Sequence, residues 1–161
     1  MKIRKLTPEL YPKAASLLDH AYSPSKSEVQ LFDKLHEKER IMHEWVCIHR
    51  HSVIAYIGFT QAYDGTMVVG LYLALLAVKP QMQSQGIGSE LLRFTLRQEV
   101  IKKSMLFVLG NLEFYKEFGF ERDSLQICPL NTNHAKFLSM RNDHSRQYTV
   151  GFDPEFKAKK K

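Results

Sequence analysis

The sequence predicts an α+β fold with a mixed, mostly antiparallel sheet flanked by about four helices. Two observations support this prediction. Apolar residues switch between helical and strand-like spacing in the order strand, two helices, three strands, helix, strand, helix and further strands. One strand–helix–strand unit, near residues 67–108, requires a right-handed crossover and therefore a parallel pair of strands.

The overall composition predicts one ordinary domain, at residues 1–156. The chain has 161 residues, and the 44% that are hydrophobic suffice for one core. It has no run of roughly 18 apolar residues that could span a membrane. The first residues, MKIRKLTPEL, lack the apolar segment of a signal peptide. We therefore expect a soluble, cytoplasmic protein with no membrane partner.

Charge and cysteine content exclude several classes of protein. The formal net charge is +6, and the closing KAKKK supplies most of the excess, so we expect residues 157–161 to be a basic, disordered tail. No basic stripe interleaved with aromatic residues indicates a nucleic-acid interface, which leaves that hypothesis resting on the tail alone. Cys47 and Cys128 form no CxxC pair and are expected to be buried free thiols.

The N-terminal elements are expected to be a strand and two helices. MKIRKL alternates apolar and polar residues as a short edge strand does. A helix is predicted to begin after Thr7 and to reach about Tyr22. Thr7 is its predicted N-cap, and Pro8 and an acidic first turn follow. SPSKS ends it, and a second helix begins near Ser27. The predicted inward residues are Leu10, Ala14, Leu17 and Leu18, then Val29, Leu31, Phe32 and Leu35.

Three antiparallel strands are expected next, in HEWVCIHR, VIAYIGFTQAY and MVVGLYLALLAV. HRHS is a polar turn between the first two. Asp64-Gly65 indicates a hairpin, because type I′ turns require positive φ. The third segment is apolar on both faces, which predicts a central strand. Pro80 ends it, because proline cannot donate to the ladder.

The C-terminal part is expected to alternate helices and strands. A helix with a wide apolar face follows Pro80, and its predicted inward residues are Ile87, Leu91, Leu92, Phe94, Leu96 and Val100. SMLFVLG predicts a buried strand, and NLEFYKEF a short helix capped by Gly119. FERDSLQI, HAKFLSMR and YTVGF predict shorter strands.

The stretch PQMQSQGIGSELL opens the helix after Pro80. Unpaired N–H groups and the helix dipole make a helix start an anion site, and Gly86 and Gly88 would permit close approach and unusual φ values. The stretch lacks the GK[ST] of a P-loop, and Leu91 replaces the third glycine of the dinucleotide fingerprint. On the glycines alone, a strand-to-helix turn without a ligand is the favoured interpretation.

Two motifs taken together resemble those of the GNAT N-acetyltransferases. Gln83, Gly86 and Gly88 match [R/Q]-x-x-G-x-[G/A] behind the family's apolar-Ala-Val-x-Pro turn. Downstream, NLEFYKEFGF is similar to N-x-x-x-x-Y-x-x-x-G-F, with Asn111 and Tyr115 one residue closer together. The resemblance spans most of the chain in element order and implies the GNAT fold with a splayed parallel strand pair. SEVQLFDKL and VGFDPEF are similar to one bacterial branch of uncharacterised family members.

The resemblance implies a transferase that moves the acetyl group of acetyl-CoA to a primary amine by direct attack, without a metal. Loop amides would hold the CoA diphosphate, and the preceding strand would pair with pantetheine. The implied CoA-binding residues are Leu76, Ala77, Val78, Gln83, Ser84, Gln85, Gly86, Ile87, Gly88, Ser89 and Asn111. Tyr115 would be the general acid to the CoA thiolate. A non-catalytic acyl-CoA-sensing module on the same fold is the alternative.

The sequence leaves the acceptor and the general base open. The resemblance implies that a small-molecule or peptide amine binds at the first two helices and their connection, around residues 22–26, together with the strand hairpins. A homodimer is an expectation from the family alone. Candidate bases are His43, Glu44, Asp64 and Tyr72, although each is more often a structural residue. His49 and His51 form an H-x-H without further ligands, so we expect no metal site there.

Overall fold

The computed structural model describes residues 1–156. The strands are β1 (Lys2–Lys5), β2 (Met42–His49), β3 (Ser52–Asp64), β4 (Met67–Val78), β5 (Leu106–Leu109), β6 (Glu121–Arg122) and β7 (Phe137–Met140). The α-helices are α1 (Tyr11–Ala21), α2 (Ser27–Glu37), α3 (Ile87–Leu96), α4 (Glu99–Lys102) and α5 (Leu112–Tyr115). None of these helices is both long and apolar enough to cross a membrane. The predicted tail at residues 157–161 lies outside the described residues.

The seven strands form one mixed sheet in the order β1-β2-β3-β4-β5-β7-β6. β4 and β5 are parallel, with Leu71–Leu73 opposite Leu106–Val108. β1 and β2, β5 and β7, and β6 and β7 are antiparallel. Beyond Leu73, β4 continues to Val78, past the end of its parallel register. The predicted fold class, including its parallel strand pair, is therefore confirmed.

The backbone divides into two compact units, and β3 and β4 each contribute residues to both. The first unit contains residues 1–59 and 74–98. In it, α1 and α2 pack on the strands around a core of Ala14, Leu17, Leu18, Phe32, Val46, Val53, Tyr56, Leu75 and Ala77. Burial raises the pKa of the Cys47 thiol, which is free, as the sequence predicted.

The second unit contains residues 60–73 and continues from residue 99. Its core is centred on the antiparallel pair β5 and β7, whose Phe107 and Phe137 rings stack with centroids 5.3 Å apart. Cys128 is a buried free thiol, and burial raises its pKa as well. Both predictions about the cysteines are confirmed.

Two helix predictions are wrong at their ends. Thr7 is at the predicted N-cap position and Pro8 follows it, but the turn that they begin is a 3₁₀ turn at Pro8–Leu10 that precedes α1, and the Thr7 side chain makes no capping hydrogen bond. The apolar face of the helix after Pro80 was predicted to reach Val100. This helix, α3, ends at Leu96, because the chain bends at Arg97 and Gln98 before α4 begins. Val100 is consequently 38% exposed.

The two hairpin turns differ from the sequence expectation in type. At the β3–β4 turn only Gly65 has a positive φ, +62°, which fits a type II′ turn rather than the expected type I′. At the β2–β3 turn, Arg50 and His51 both have positive φ values, 50° and 65°. The type I′ pattern therefore occurs in HRHS, where no glycine indicates it.

The last predicted strands are shorter than expected. FERDSLQI contributes only the two residues of β6. The Asp123 carboxylate ends this strand, because its Oδ1 accepts hydrogen bonds from the amides of Leu125 and Gln126. YTVGF forms no regular strand and makes only isolated bridges, Thr149 to Ile127 and Gly151 to Tyr63.

Candidate active site

The loop after β4 takes a left-handed backbone at two positions. A 3₁₀ turn at Pro80–Met82 leads into it, and Ser84 and Gly86 have φ values of +65° and +81°. Gly88 lies within α3 without a positive φ, so only one of the two predicted glycines uses the conformational freedom of glycine. Ser84 could not have been recognised from sequence, since serine rarely marks a left-handed position.

The start of α3 presents backbone amides that have no acceptor within the helix. The bond from the Glu90 amide to the Gly86 carbonyl, 3.0 Å, is the first of the helical type. The amides of Ile87, Gly88 and Ser89 precede it, at the positive end of the helix dipole. Gln83 Nε2 donates to the Val78 carbonyl over 3.1 Å and holds the loop against β4. This arrangement suits an anion.

A cavity of about 580 Å³ borders the same loop. Gln85, Gly86 and Ile87 line it, together with Glu90 and Arg93 from the first two turns of α3. Residues 83–86 of the loop are exposed, Gly88 and Ser89 are half-buried and Ile87 is buried, so most of the polar atoms are accessible to a ligand.

The end of β4 is tied to the connection between α1 and α2. Of the three predicted strand residues, Ala77 is buried, and Leu76 and Val78 are half-buried. The Tyr22 hydroxyl donates to the Leu76 carbonyl over 3.1 Å. Burial raises the pKa of Tyr22. The sequence did not identify this tyrosine as a partner, because its acceptor is 54 residues further along the chain.

Asn111 is the N-cap of α5 in the second unit. Its Oδ1 accepts a hydrogen bond from the Glu113 amide at 2.9 Å. Within residues 1–156, its Nδ2 makes no hydrogen bond and can donate to a ligand. The predicted Asn111 therefore has a structural role through one atom and an available donor at another.

Tyr115 is 9% exposed and fixed by aromatic packing. The rings of Phe114 and Phe120 lie edge-on to it at 4.9 and 5.5 Å. Gly110 is required beside the ring, because a Cβ atom there would overlap it. Gly110 was not among the predicted site residues, although a glycine directly after a buried strand could have indicated a close approach.

The predicted residues thus form two groups. The first unit brings together Leu76–Val78 and the loop from Gln83 to Ser89. The second unit holds Asn111 and Tyr115 on the first turn of α5.

A sequence model of the GNAT acetyltransferase domain matches residues 41–122, about half of the chain. The chain belongs to the GNAT acetyltransferase family. The matched residues include both groups of predicted site residues. No curated protein sequence matches the chain.

Solved GNAT structures share the fold over nearly the whole chain. The N-acetyltransferase YhbS from Escherichia coli in complex with CoA has a TM-score of 0.87 and 22% identity, covering 96% of this chain and 91% of its own. A GNAT acetyltransferase from Brucella melitensis in complex with acetyl-CoA has a TM-score of 0.80 and 23% identity, covering 97% of both chains. The ribosomal-protein-S18-alanine N-acetyltransferase from Escherichia coli has a TM-score of 0.62 and 16% identity, covering 86% and 92%.

Glu44, a candidate base of this GNAT protein, already has two partners. Its carboxylate is 9% exposed and accepts hydrogen bonds from the Tyr56 hydroxyl at 2.5 Å and from His36 Nε2 at 2.9 Å. Burial alone would lower the pKa of His36, but the hydrogen bond and charge of Glu44 outweigh it and raise the pKa. Burial and the Glu44 charge raise the pKa of Tyr56 well above its usual value.

The other three candidate bases are also held by contacts or burial within the fold. Asp64 forms an ion pair with Arg146, whose guanidinium lies 5.1 Å from the centroid of the Tyr148 ring. Tyr72 packs edge-on against Phe152 at 4.7 Å. Burial lowers the pKa of His43. Across the described ranges, no three His, Cys, Asp or Glu side chains form a group that could hold a metal.

Proposed function

We propose that this GNAT protein transfers the acetyl group of acetyl-CoA to a primary amine on a small-molecule or peptide acceptor. The loop from Gln83 to Ser89 is the observation that supports this most directly. Its left-handed Gly86 leads into three amides at the start of α3 that have no acceptor within the helix. A diphosphate would be held there by N–H groups and by the helix dipole. CoA is therefore the proposed donor cofactor, and the reaction needs no metal.

The pantetheine arm is proposed to pair with the backbone of Leu76, Ala77 and Val78, as an added strand would. The Leu76 carbonyl accepts from Tyr22 in this structure, but a carbonyl oxygen has a second lone pair. An N–H of this strand would also polarise the thioester carbonyl as negative charge develops on its oxygen. Asn111 Nδ2 is a proposed donor to a pantetheine amide.

The proposed reaction has one bond-forming step and two proton transfers. The neutral amine attacks the thioester carbon, the tetrahedral intermediate collapses, and the C–S bond breaks to release the CoA thiolate. Tyr115 is the proposed general acid that protonates this sulfur. The proton lost by the amine leaves through water, since Glu44 and Asp64 are already engaged with other side chains.

Two glycine variants test the proposed donor site. Gly86 and Gly65 both have positive φ, and neither would give a Cβ atom a neighbour within 4 Å. Gly86→Val and Gly65→Val therefore introduce similar backbone strain, but only Gly86 lies in the proposed diphosphate loop. By isothermal titration we expect acetyl-CoA to bind the native protein and Gly65→Val, and to bind Gly86→Val at least about tenfold more weakly, roughly 1.4 kcal/mol. No binding by the native protein, or equal loss in both variants, would contradict the proposal.

Thiol release separates an enzyme from an acyl-CoA sensor. We expect free CoA to appear when acetyl-CoA is mixed with at least one member of a panel of primary amines, and Tyr115→Phe to lower the rate by about 10²-fold or more. Tight acetyl-CoA binding without thiol release from any amine would favour the sensing module. An unchanged rate in Tyr115→Phe at every pH would remove the general-acid role.

A further inference from the structure

A second cavity of about 650 Å³ lies within the first unit, and its lining is basic. We define it as the basic cavity by Lys13 and His20 of α1, His51 of the β2–β3 turn and Lys79 at the end of β4. Three serine hydroxyls add to the polar lining. No acidic side chain lines the cavity in the part of the chain that the structure describes. Its charge therefore favours an anion.

The helix α1 contributes one continuous face to the basic cavity. Lys13, Ser16, Leu17 and His20 follow the i, i+3, i+4, i+7 spacing that places side chains on one side of a helix. The Lys13 ammonium donates to the His51 carbonyl at 3.2 Å, which connects α1 to the turn. His20 Nδ1 must carry a proton, since it contacts the Ser16 carbonyl at 2.7 Å. The basic groups thus come from elements that are linked to one another.

Lys79 supplies a second lysine cation to the basic cavity. Its backbone amide donates to the Ile54 carbonyl at 2.8 Å, which fixes the residue at the end of β4. Within residues 1–156, its ammonium makes no ion pair or hydrogen bond. Lys79 is half-buried, and an ammonium without an ion pair within the described residues favours an anionic ligand.

The size and apolar wall of the cavity indicate more than an inorganic ion. About 650 Å³ lies within the range of small-molecule sites. Leu17, Val53 and Pro80 supply apolar surface that fits a carbon skeleton. We propose that the basic cavity binds the phosphate or carboxylate group of a small organic anion. The group belongs either to CoA itself, as its ribose phosphate, or to a separate ligand such as an anionic acceptor.

Phosphate titration tests the cavity without relying on acetyl transfer. The probe is inorganic phosphate at low ionic strength, added to the Gly86→Val protein so that binding at the start of α3 is reduced. Adding Lys79→Gln to this background should weaken phosphate binding about tenfold. Adding Lys34→Gln removes the same charge from an exposed position on α2 outside the cavity, and should change nothing. Equal phosphate affinity in the two double variants, or no phosphate binding, would overturn the proposal.

A pair of nucleotides identifies the source of the anion. CoA and dephospho-CoA, which lacks the ribose phosphate, are titrated into the native protein and into Lys79→Gln. If Lys79→Gln weakens the binding of CoA but not that of dephospho-CoA, the cavity is assigned to the ribose phosphate of CoA. Unchanged binding of both nucleotides, together with weakened binding of phosphate, assigns it to a separate ligand. Because the phosphate result is independent of thiol release, failure of this inference and failure of the proposed activity are distinguishable.

Discussion

Single residues determine the shape of the proposed donor site, and they do so through backbone geometry as well as side-chain chemistry. Ser84 and Gly86 turn the chain between β4 and α3 with positive φ. Gly110 has no side chain and so leaves space for the Tyr115 ring. Tyr22 reaches the β4 backbone through its hydroxyl. The GNAT motifs predicted Gly86 and Tyr115. The left-handed backbone of Ser84 and the contact of Tyr22 with β4 are visible only after folding. Gly110 could have been indicated by its position directly after a buried strand.

Gly110→Ala is predicted to displace Tyr115. The added Cβ atom would overlap the ring, which Phe114 and Phe120 already confine. Overpacking of this kind costs about 1–3 kcal/mol, so we expect a corresponding loss in the free energy of unfolding by urea, and slower thiol release. The control is the same change in a Tyr115→Ala background, where the overlap is absent and the extra cost should vanish. Equal costs in both backgrounds would show that the ring does not confine residue 110.

At the scale of elements, the β2–β3 turn has an unfavourable sequence for its geometry. Arg50 adopts φ +50° with an ordinary side chain, and this costs about 1 kcal/mol relative to glycine. Asparagine tolerates this region, so we predict that Arg50→Asn raises the free energy of unfolding by about 0.5 kcal/mol. Arg50→Val, which is β-branched, should lower it by at least as much. If both variants shifted stability in the same direction, the type I′ geometry would be wrong.

The contact between α2 and β2 is predicted to depend on pH. Burial lowers the pKa of His36, but the hydrogen bond and the charge of Glu44 outweigh this effect and raise the pKa in the folded protein. The rings of Tyr11 and Phe32 and the charge of Asp33 also face His36. A raised pKa means that the stabilisation is complete below about pH 6.5 and is lost as pH rises through the folded-state value. The free energy of unfolding should therefore fall across that window more steeply than in His36→Gln. If the free energy of unfolding varied with pH in the same way in the native protein and in His36→Gln, the pair of His36 and Glu44 would contribute nothing to stability.

The order of elements was predictable because it depends on local patterns. Strand and helix periodicities, Pro80, and the Gly119 cap all lie within a few residues of the elements they define. The ends of elements were less predictable where a side chain competes for the backbone, as Asp123 does after β6. The turn at Arg50 and His51 was missed because its geometry opposes the residue preferences on which sequence prediction relies.

At the scale of the whole molecule, β3 and β4 are shared between the two compact units. Neither unit can lose its part of these strands without disturbing the backbone of the other. We therefore propose that residues 1–156 function as one acetyltransferase domain, as the sequence predicted.

Cooperative unfolding is the measurable consequence of these shared strands. Trp45, the single tryptophan, is buried in the first unit, and Cys128 is buried in the second. In a Cys47→Ala protein, we predict that the fluorescence of Trp45 and the thiol reactivity of Cys128 change at the same urea concentration. Separate midpoints would mean that the units unfold independently.

The close contact between Gly110 and Tyr115 also restricts how this sequence can change over evolutionary time. A ring at position 115 excludes a side chain at position 110, so substitutions at the two positions are not independent. Among related chains, an aromatic residue at 115 should be found with glycine at 110, and a larger residue at 110 only where position 115 has become small. The general-acid candidate therefore constrains a second position that takes no part in the chemistry.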